Sequence, residues 1–184
     1  MKKLFVIPFY FATFLTCQNV FGQKTFFSIG GELTLPFGNL KDVAGTGIGG
    51  SFRLESSFSK HVAGIVTIGY LKFATKEINP FLIYKLRTVP IQAGIKYYSQ
   101  EKKEIRKGFY ISGEAGVTSE TTISNFVGDK THRDSELGLS SAAGAGYQFR
   151  NVELSFRLQS FLTWEYWCSF YHSFRLAYTF QKRK

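Results

Sequence analysis

Long hydrophobic stretches are missing from this chain beyond residue 15, and proline (4 of 184 residues) and methionine (1) are scarce. A helix that crosses a membrane needs about 20 mostly apolar residues. With a mean hydropathy of -0.07, the composition therefore excludes a bundle of membrane helices. Phenylalanine (20) and tyrosine (10) are abundant instead. Aromatic residues favour strands, and the length fits one domain.

Cysteine is also rare, with only Cys17 and Cys168. Cys17 follows a basic start and the apolar run Leu4–Leu15, an order typical of a secretory signal peptide. We predict a signal peptide over residues 1–22, cleaved after Gly22, and a mature domain over residues 23–184. The alternative is a lipid on Cys17, although Phe14-Leu15-Thr16 matches a lipoprotein cleavage site poorly. Cleavage leaves one cysteine, so an internal disulfide is not expected.

Alternation of apolar and polar residues dominates the mature chain, and it is clearest at the end. Phe174, Leu176, Tyr178 and Phe180 alternate with Arg175, Ala177 and Thr179. Successive side chains of a strand point to opposite faces, so this period predicts a strand with one apolar face. The same period predicts eight strands, over 27–35, 48–58, 62–73, 89–98, 109–118, 137–149, 152–159 and 174–180.

Three details of this pattern bear on architecture. The third strand is apolar at both its odd-numbered and its even-numbered positions, so alternation does not assign its faces. We prefer Val66, Ile68 and Tyr70 as the side chains that face lipid. Pro90 cannot donate a ladder hydrogen bond, so it predicts the start of the fourth strand. Connections after strands 1, 3 and 5 are long, with the longest polar loop over 119–134, whereas those after strands 2 and 6 are short. This asymmetry is typical of outer-membrane barrels with both termini in the periplasm.

Aromatic residues concentrate at predicted strand ends, as an interfacial belt requires. One belt is predicted on the periplasmic side and the other near Phe73, Trp164, Tyr166 and Trp167. The periplasmic belt comprises Phe26, Phe27, Phe58, Tyr97, Tyr98, Phe109, Tyr110, Tyr147, Phe149, Tyr178 and Phe180.

In strand number, alternation and closing strand, the whole mature chain resembles the small outer-membrane β-barrels of Gram-negative bacteria of the OmpA and OmpX kind. The resemblance implies an all-β fold, an eight-stranded antiparallel up-and-down transmembrane barrel. It also implies an outer-membrane location, and that Phe174, Leu176, Tyr178 and Phe180 form the C-terminal signal recognised by the barrel-assembly machinery. Outer-membrane lipid and lipopolysaccharide are the expected partners. We expect a monomer with no nucleic-acid partner and no cofactor.

The polar faces of the predicted strands carry five acids and four bases. Eight strands enclose a lumen just wide enough for side chains to fill, so these charges must pair. We predict a lumen charge network that holds the barrel shut; a narrow gated pore is the alternative. The predicted members are Glu32, Arg53, Glu55, Lys96, Glu114, Glu136, Glu153, Arg157 and Arg175. Glycines on the same faces (Gly30, Gly49, Gly94, Gly116, Gly144 and Gly146) are expected to relieve crowding.

Catalytic and metal sites have weak support. His172 and Ser173 are adjacent on one strand and face opposite sides, which disfavours a nucleophile–base pair. The cluster His132-Arg133-Asp134-Ser135 has suitable residue types for a lipid A acyltransferase or deacylase, the enzymatic alternative. Three scattered histidines predict no metal site. A further alternative is a soluble lipocalin-like carrier, in which the apolar faces would point inward. The predicted function is a structural or surface-interaction role through the outer loops.

Overall fold

The structure is a computed structural model, and it describes residues 25–79, 82–99, 107–126, 132–162 and 168–181. The predicted signal peptide and the aromatic residues Trp164, Tyr166 and Trp167 lie outside these ranges. No helix among the described residues is long and apolar enough to cross a membrane.

Nine strands and one short helix make up the described chain, and eight of the strands are long. In order they are β1 (Thr25–Phe37), α1 (Leu40–Val43), β2 (Gly47–Ser57), β3 (Val62–Phe73), β4 (Lys76–Asn79), β5 (Leu82–Tyr98), β6 (Lys107–Phe126), β7 (His132–Phe149), β8 (Val152–Leu162) and β9 (Cys168–Gln181). Each long strand pairs antiparallel with the next long strand along the chain.

The sheet closes on itself because β1 pairs with β9, from Phe26 opposite Gln181 to Phe37 opposite Phe170. The four-residue strand β4 adds to β5 at one end and leaves the closure unchanged. The prediction of an eight-stranded antiparallel barrel is confirmed. We call the end that holds Thr25 and Gln181 the turn end. The opposite end, which holds α1 and β4, is the loop end.

Short connections define the turn end. Arg150 and Asn151 alone link β7 to β8, and Arg150 adopts the positive φ of 51° that a tight hairpin turn requires. Between β2 and β3, the Ser59 hydroxyl accepts hydrogen bonds from the backbone N–H groups of His61 and Val62. Local backbone geometry thus fixes the register of both hairpins.

The barrel has apolar side chains outside and ionic side chains inside. Leu176 is 60% exposed and Ile111 63%, whereas Arg53 is 1% and Arg175 0% exposed. A soluble carrier would show the reverse, so the lipocalin-like alternative is wrong. Val66, Ile68 and Tyr70 are exposed, which confirms the outward face preferred for β3. The exposed apolar side chains form a continuous girdle that we call the apolar belt.

Two predicted boundaries are wrong. β5 begins at Leu82, so Pro90 lies in the middle of the strand. The β3–β5 ladder has no bridge at Pro90, where Gly69 is the facing residue, and a Cβ at Gly69 would lie 3.1 Å from the proline Cγ. A glycine partner therefore makes room for the ring. In addition, most of the polar loop predicted over 119–134 belongs to β6 and β7.

The predicted aromatic belts need correction. Phe26, Tyr98 and Tyr110 point into the lumen and are buried, because adjacent residues in a strand alternate between faces. Their neighbours Phe27, Tyr97 and Phe109 are the exposed members of each pair. Phe73, assigned to the other belt, is 1% exposed and also lies inside.

Candidate functional site

The lumen holds a buried ionic network whose centre is Glu153 on β8. Its carboxylate accepts hydrogen bonds from Arg53 Nη1 at 2.9 Å, Lys96 Nζ at 2.7 Å and Arg175 Nη1 at 2.9 Å. The Tyr110 hydroxyl donates a fourth bond at 2.8 Å. These donors come from β2, β5, β6 and β9, so one carboxylate ties together strands from different sides of the barrel.

Arg53 connects Glu153 to a second carboxylate, that of Glu114. Arg53 Nη2 donates to Glu114 Oε1 at 3.0 Å, and Nε donates to the Thr67 hydroxyl at 3.0 Å. The Thr67 hydroxyl in turn donates to Glu114 Oε2 at 2.7 Å. Every N–H-bearing nitrogen of this guanidinium therefore has a partner, as a buried cation requires.

The turn end of the network combines a carboxylate with two tyrosines. Lys96 Nζ lies 3.3 Å from Glu55 Oε2 and 4.1 Å from the centre of the Tyr110 ring. The Tyr98 hydroxyl donates to Glu55 at 3.0 Å. Lysine thus gains both ionic and cation–π stabilisation where the two buried tyrosines narrow the lumen.

A second cluster surrounds Glu32 on β1. Arg157 Nη2 donates to its two oxygens at 2.7 and 2.8 Å, and the Ser173 hydroxyl donates at 2.7 Å. Arg175 Nε lies 3.8 Å from Glu32 Oε1, which joins this cluster to Glu153. Arg175 also donates to the hydroxyls of Ser51 and Ser28.

Eight of the nine predicted charges therefore lie buried together, four of each sign. They are Glu32, Glu55, Glu114, Glu153, Arg53, Lys96, Arg157 and Arg175. Glu136 is the exception: its side chain is exposed near the loop end, opposite Glu120 on β6. Both positions lie beyond the apolar belt. Burial, with the nearby Glu136 carboxylate, raises the pKa of Glu120 to about 7.

A neutral polar layer lies between the ionic network and the loop end. Gln92 Nε2 donates to the Ser140 hydroxyl at 3.1 Å, and the Tyr171 hydroxyl donates to Gln159 Oε1 at 3.0 Å. Several buried atoms of this layer have no hydrogen-bond partner among the described residues: Thr34 Oγ1, Thr118 Oγ1, Gln92 Oε1 and Gln159 Nε2. Buried polar groups of this kind are normally satisfied by ordered water.

An apolar cap closes the loop end above that layer. Leu40, at the start of α1, packs with buried side chains of β3, β5 and β9: Leu71, Phe73, Leu86 and Tyr171. Ala44 and Val43 complete the cluster. This cap was not predicted, although the spacing Leu40, Val43, Ala44 is the i, i+3, i+4 pattern of a helix that buries one face.

The predicted inward glycines lie where the backbone of the neighbouring strand comes very close. A Cβ on Gly94 would clash with the Gly113 carbonyl oxygen, and one on Gly116 with the Ile91 carbonyl oxygen. Both clashes involve backbone, which a side-chain rotation cannot relieve. These positions therefore exclude larger residues on steric grounds, in agreement with the predicted relief of crowding.

His172 and Ser173, which were considered as a catalytic pair, do not come together. Ser173 points inward to Glu32, whereas His172 faces outward and stacks on Phe37, with ring centres 4.5 Å apart. The side chain of His132, in the other predicted cluster, lies outside the described part of the structure. Ser135 Oγ lies 3.1 Å from Thr121 Oγ1. The outward residues Phe174, Leu176, Tyr178 and Phe180 lie on β9, and their role as an assembly signal stays a prediction.

An outward apolar belt around a filled, ionic interior defines the class: the chain has the fold of a small eight-stranded outer-membrane β-barrel. No family model matches the sequence, and no curated protein matches it either. Solved structures are similar in fold. Ail, the attachment invasion locus protein of Yersinia pestis, is 14% identical with a TM-score of 0.63, and the match covers 86% of this chain and 99% of Ail.

Two Pseudomonas aeruginosa proteins share the fold as well. The N-terminal β-barrel domain of OprF is 15% identical with a TM-score of 0.59, over 86% of this chain and 99% of that domain. The outer membrane protein OprG is 10% identical with a TM-score of 0.53, over 86% of this chain and 96% of OprG. At these identities the similarity establishes the architecture.

Proposed function

We propose that this protein is a closed, non-conducting barrel of the bacterial outer membrane, with a structural and surface-interaction role carried by its loop end. The observation that carries the proposal is the distribution of exposure, with Leu176 at 60% and Arg175 beside it at 0%. A strand with this distribution is stable where acyl chains surround the barrel and the charges are enclosed.

The loop end is the end that we assign to the cell surface. β6 continues seven residues beyond Ser119, to Phe126, and pairs with β5 and β7 beyond the level of the apolar belt. Among the described residues, β8 pairs with β7 only as far as Leu139 opposite Leu162. β7 itself continues beyond that pair to His132, so this end of the sheet extends past the apolar belt.

Three layers argue against conduction. An ion that crosses the lumen would meet the tyrosines at the turn end, the ionic network and then the apolar cap at the loop end. Glu153 alone forms ion pairs with three cationic side chains. Opening the ionic layer would therefore leave several buried charges without partners. We therefore assign the interior a structural role.

Cell fractionation and electrophoresis test the location. The protein is expected in the outer-membrane fraction. On a gel, the unheated, folded protein should migrate differently from the heated, unfolded protein. A location in the soluble periplasmic fraction contradicts the proposal. In planar bilayers we expect no steady conductance, and discrete channels would favour the pore instead.

Cysteine labelling of intact cells tests the orientation. In a Cys168→Ser background, Ser135→Cys at the loop end should react with a membrane-impermeant maleimide. The matched control Lys60→Cys, exposed at the turn end, should react only after the outer membrane is opened. The reverse pattern would place the loop end in the periplasm and refute the assignment.

A further inference from the structure

Basic side chains gather on the outer face of the wall where β3, β5, β6 and β7 leave the apolar belt. Lys72, Lys85, Arg87 and Arg133 all occupy outward positions in these strands. Lys72 and Arg133 are exposed, and Lys85 and Arg87 are partly exposed. We call these four residues the basic patch.

The strand register places the basic patch directly next to the belt. Tyr70 on β3 and Leu137 on β7 are among the last apolar residues of the belt, at 47% and 58% exposure. Two residues further along β3, Lys72 pairs with Arg87, which itself pairs with Thr121 on β6. On β3 and β5 the outer surface therefore changes from apolar to basic within one residue row, at the height where acyl chains would give way to headgroups. In the same row β6 and β7 carry Thr121 and Ser135, and Arg133 lies one outward row further along β7.

Acidic residues lie on the other face of the same strands. Glu120, Asp134 and Glu136 occupy inward parities, so alternation separates the two signs. The patch therefore keeps a net positive charge towards the outside.

This arrangement is unfavourable unless an anion is present. Lys72 and Arg87 are direct cross-strand neighbours, and like charges in such a pair destabilise a sheet. Arg87 Nε is buried and has no hydrogen-bond partner among the described residues. An anionic group between the two strands would offset the repulsion and could accept that N–H, and guanidinium matches phosphate geometry well.

We propose that the basic patch binds the phosphates of anionic lipid headgroups in the leaflet around the loop end. Basic residues beside a membrane-spanning segment are attracted to such headgroups, and here the patch adjoins the belt without a gap. The proposal rests on the proposed function, because it requires the barrel to span a bilayer.

Thermal unfolding in lipid vesicles tests this proposal. The probes are phosphatidylcholine vesicles with and without diphosphoryl lipid A. A ligand that binds only the folded state raises the unfolding temperature, by about 3–6 °C when the lipid is present at roughly ten times its dissociation constant. The double variant Lys72→Gln/Arg87→Gln should lose this increase. In phosphatidylcholine alone it should unfold at a higher temperature than the unchanged protein, because the repulsion is gone.

A matched control removes the same charge elsewhere. Lys60→Gln/Arg150→Gln changes two exposed bases at the turn end and should keep the response to lipid A. Equal loss in both double variants would show non-specific attraction and overturn the proposal. A response to inorganic phosphate or sucrose octasulfate in phosphatidylcholine vesicles, with none to lipid A, would overturn it as well. A protein that does not insert refutes the proposed function, whereas one that inserts and ignores lipid A refutes the patch alone.

Discussion

Glu153→Gln is the sharpest perturbation of the interior. The substitution keeps the size and one carbonyl oxygen of the side chain and removes its charge. Glu153 has three cationic partners within 2.9 Å, so the buried network changes from four bases and four acids to four bases and three acids. The glutamine amide would also place a donor against either Lys96 Nζ or the cluster of donors at the other oxygen.

The magnitude follows from that geometry. Removing one partner of a buried ion pair costs about 3–5 kcal/mol, since a charge is left without compensation. Glutamine retains an acceptor, so we expect about 3 kcal/mol, a decrease of about 150-fold in the folding equilibrium constant. The second substitution Lys96→Met restores equal numbers of bases and acids. The double variant should therefore lose less than the sum of the two single variants, with a coupling of about 0.5–3 kcal/mol.

Urea unfolding in phosphatidylcholine vesicles, followed by the gel mobility of the folded form, measures these free energies. The control is Glu136→Gln, an exposed carboxylate outside the network, for which we expect a change within about 0.5 kcal/mol. A loss below about 1 kcal/mol for Glu153→Gln, or additive effects with Lys96→Met, would refute the reasoning that the interior is a coupled ionic network.

Three further outcomes are expected. Leu176→Arg, at a 60% exposed position in the middle of β9, should destabilise the barrel by about 2–4 kcal/mol in bilayers, and a negligible urea effect would contradict a lipid-facing belt. Thr67→Val should lower the free energy of unfolding by about 1–3 kcal/mol, because the Thr67 hydroxyl links Arg53 and Glu114. The Thr118 hydroxyl has no partner among the described residues, so Thr118→Val should cost less in the same urea assay. Glu120 holds its proton more tightly when folded, so stability should fall as pH rises from 4.5 to about 7, and Glu120→Gln should flatten that slope.

Within the membrane-spanning part, the period of two predicted which residues of most strands share a face. Phe52 and Leu54 on β2 face outward and Arg53 and Glu55 face inward, as their alternation predicted. Parity also selected the eight charges of the network, together with Glu136, which lies exposed outside it. The pairing of the eight could not be predicted in this way, because Arg53 and Glu153 are 100 residues apart and meet only after the sheet has closed.

Near the loop end the apolar residues of β3 and β5 point inward, and basic residues occupy the outward positions. Leu71 and Phe73 point inward under the cap while Lys72 points outward, and Leu86 lies inward between Lys85 and Arg87. On β3, however, the inward positions are apolar at the other end of the strand as well, since Ala63 and Ile65 are buried. Apolar residues therefore occupy both faces of β3, which explains why the sequence alone did not assign its faces.

The amino-acid order by itself determined the eight long strands and which of their residues share a face, because side-chain direction in a strand depends only on parity. Tertiary structure decided which charges share Glu153, how far β6 and β7 continue, and that α1 covers the loop end. Those features depend on contacts between residues far apart in the chain. A local period carries no information about distance across the lumen, and only closure of the sheet sets that distance.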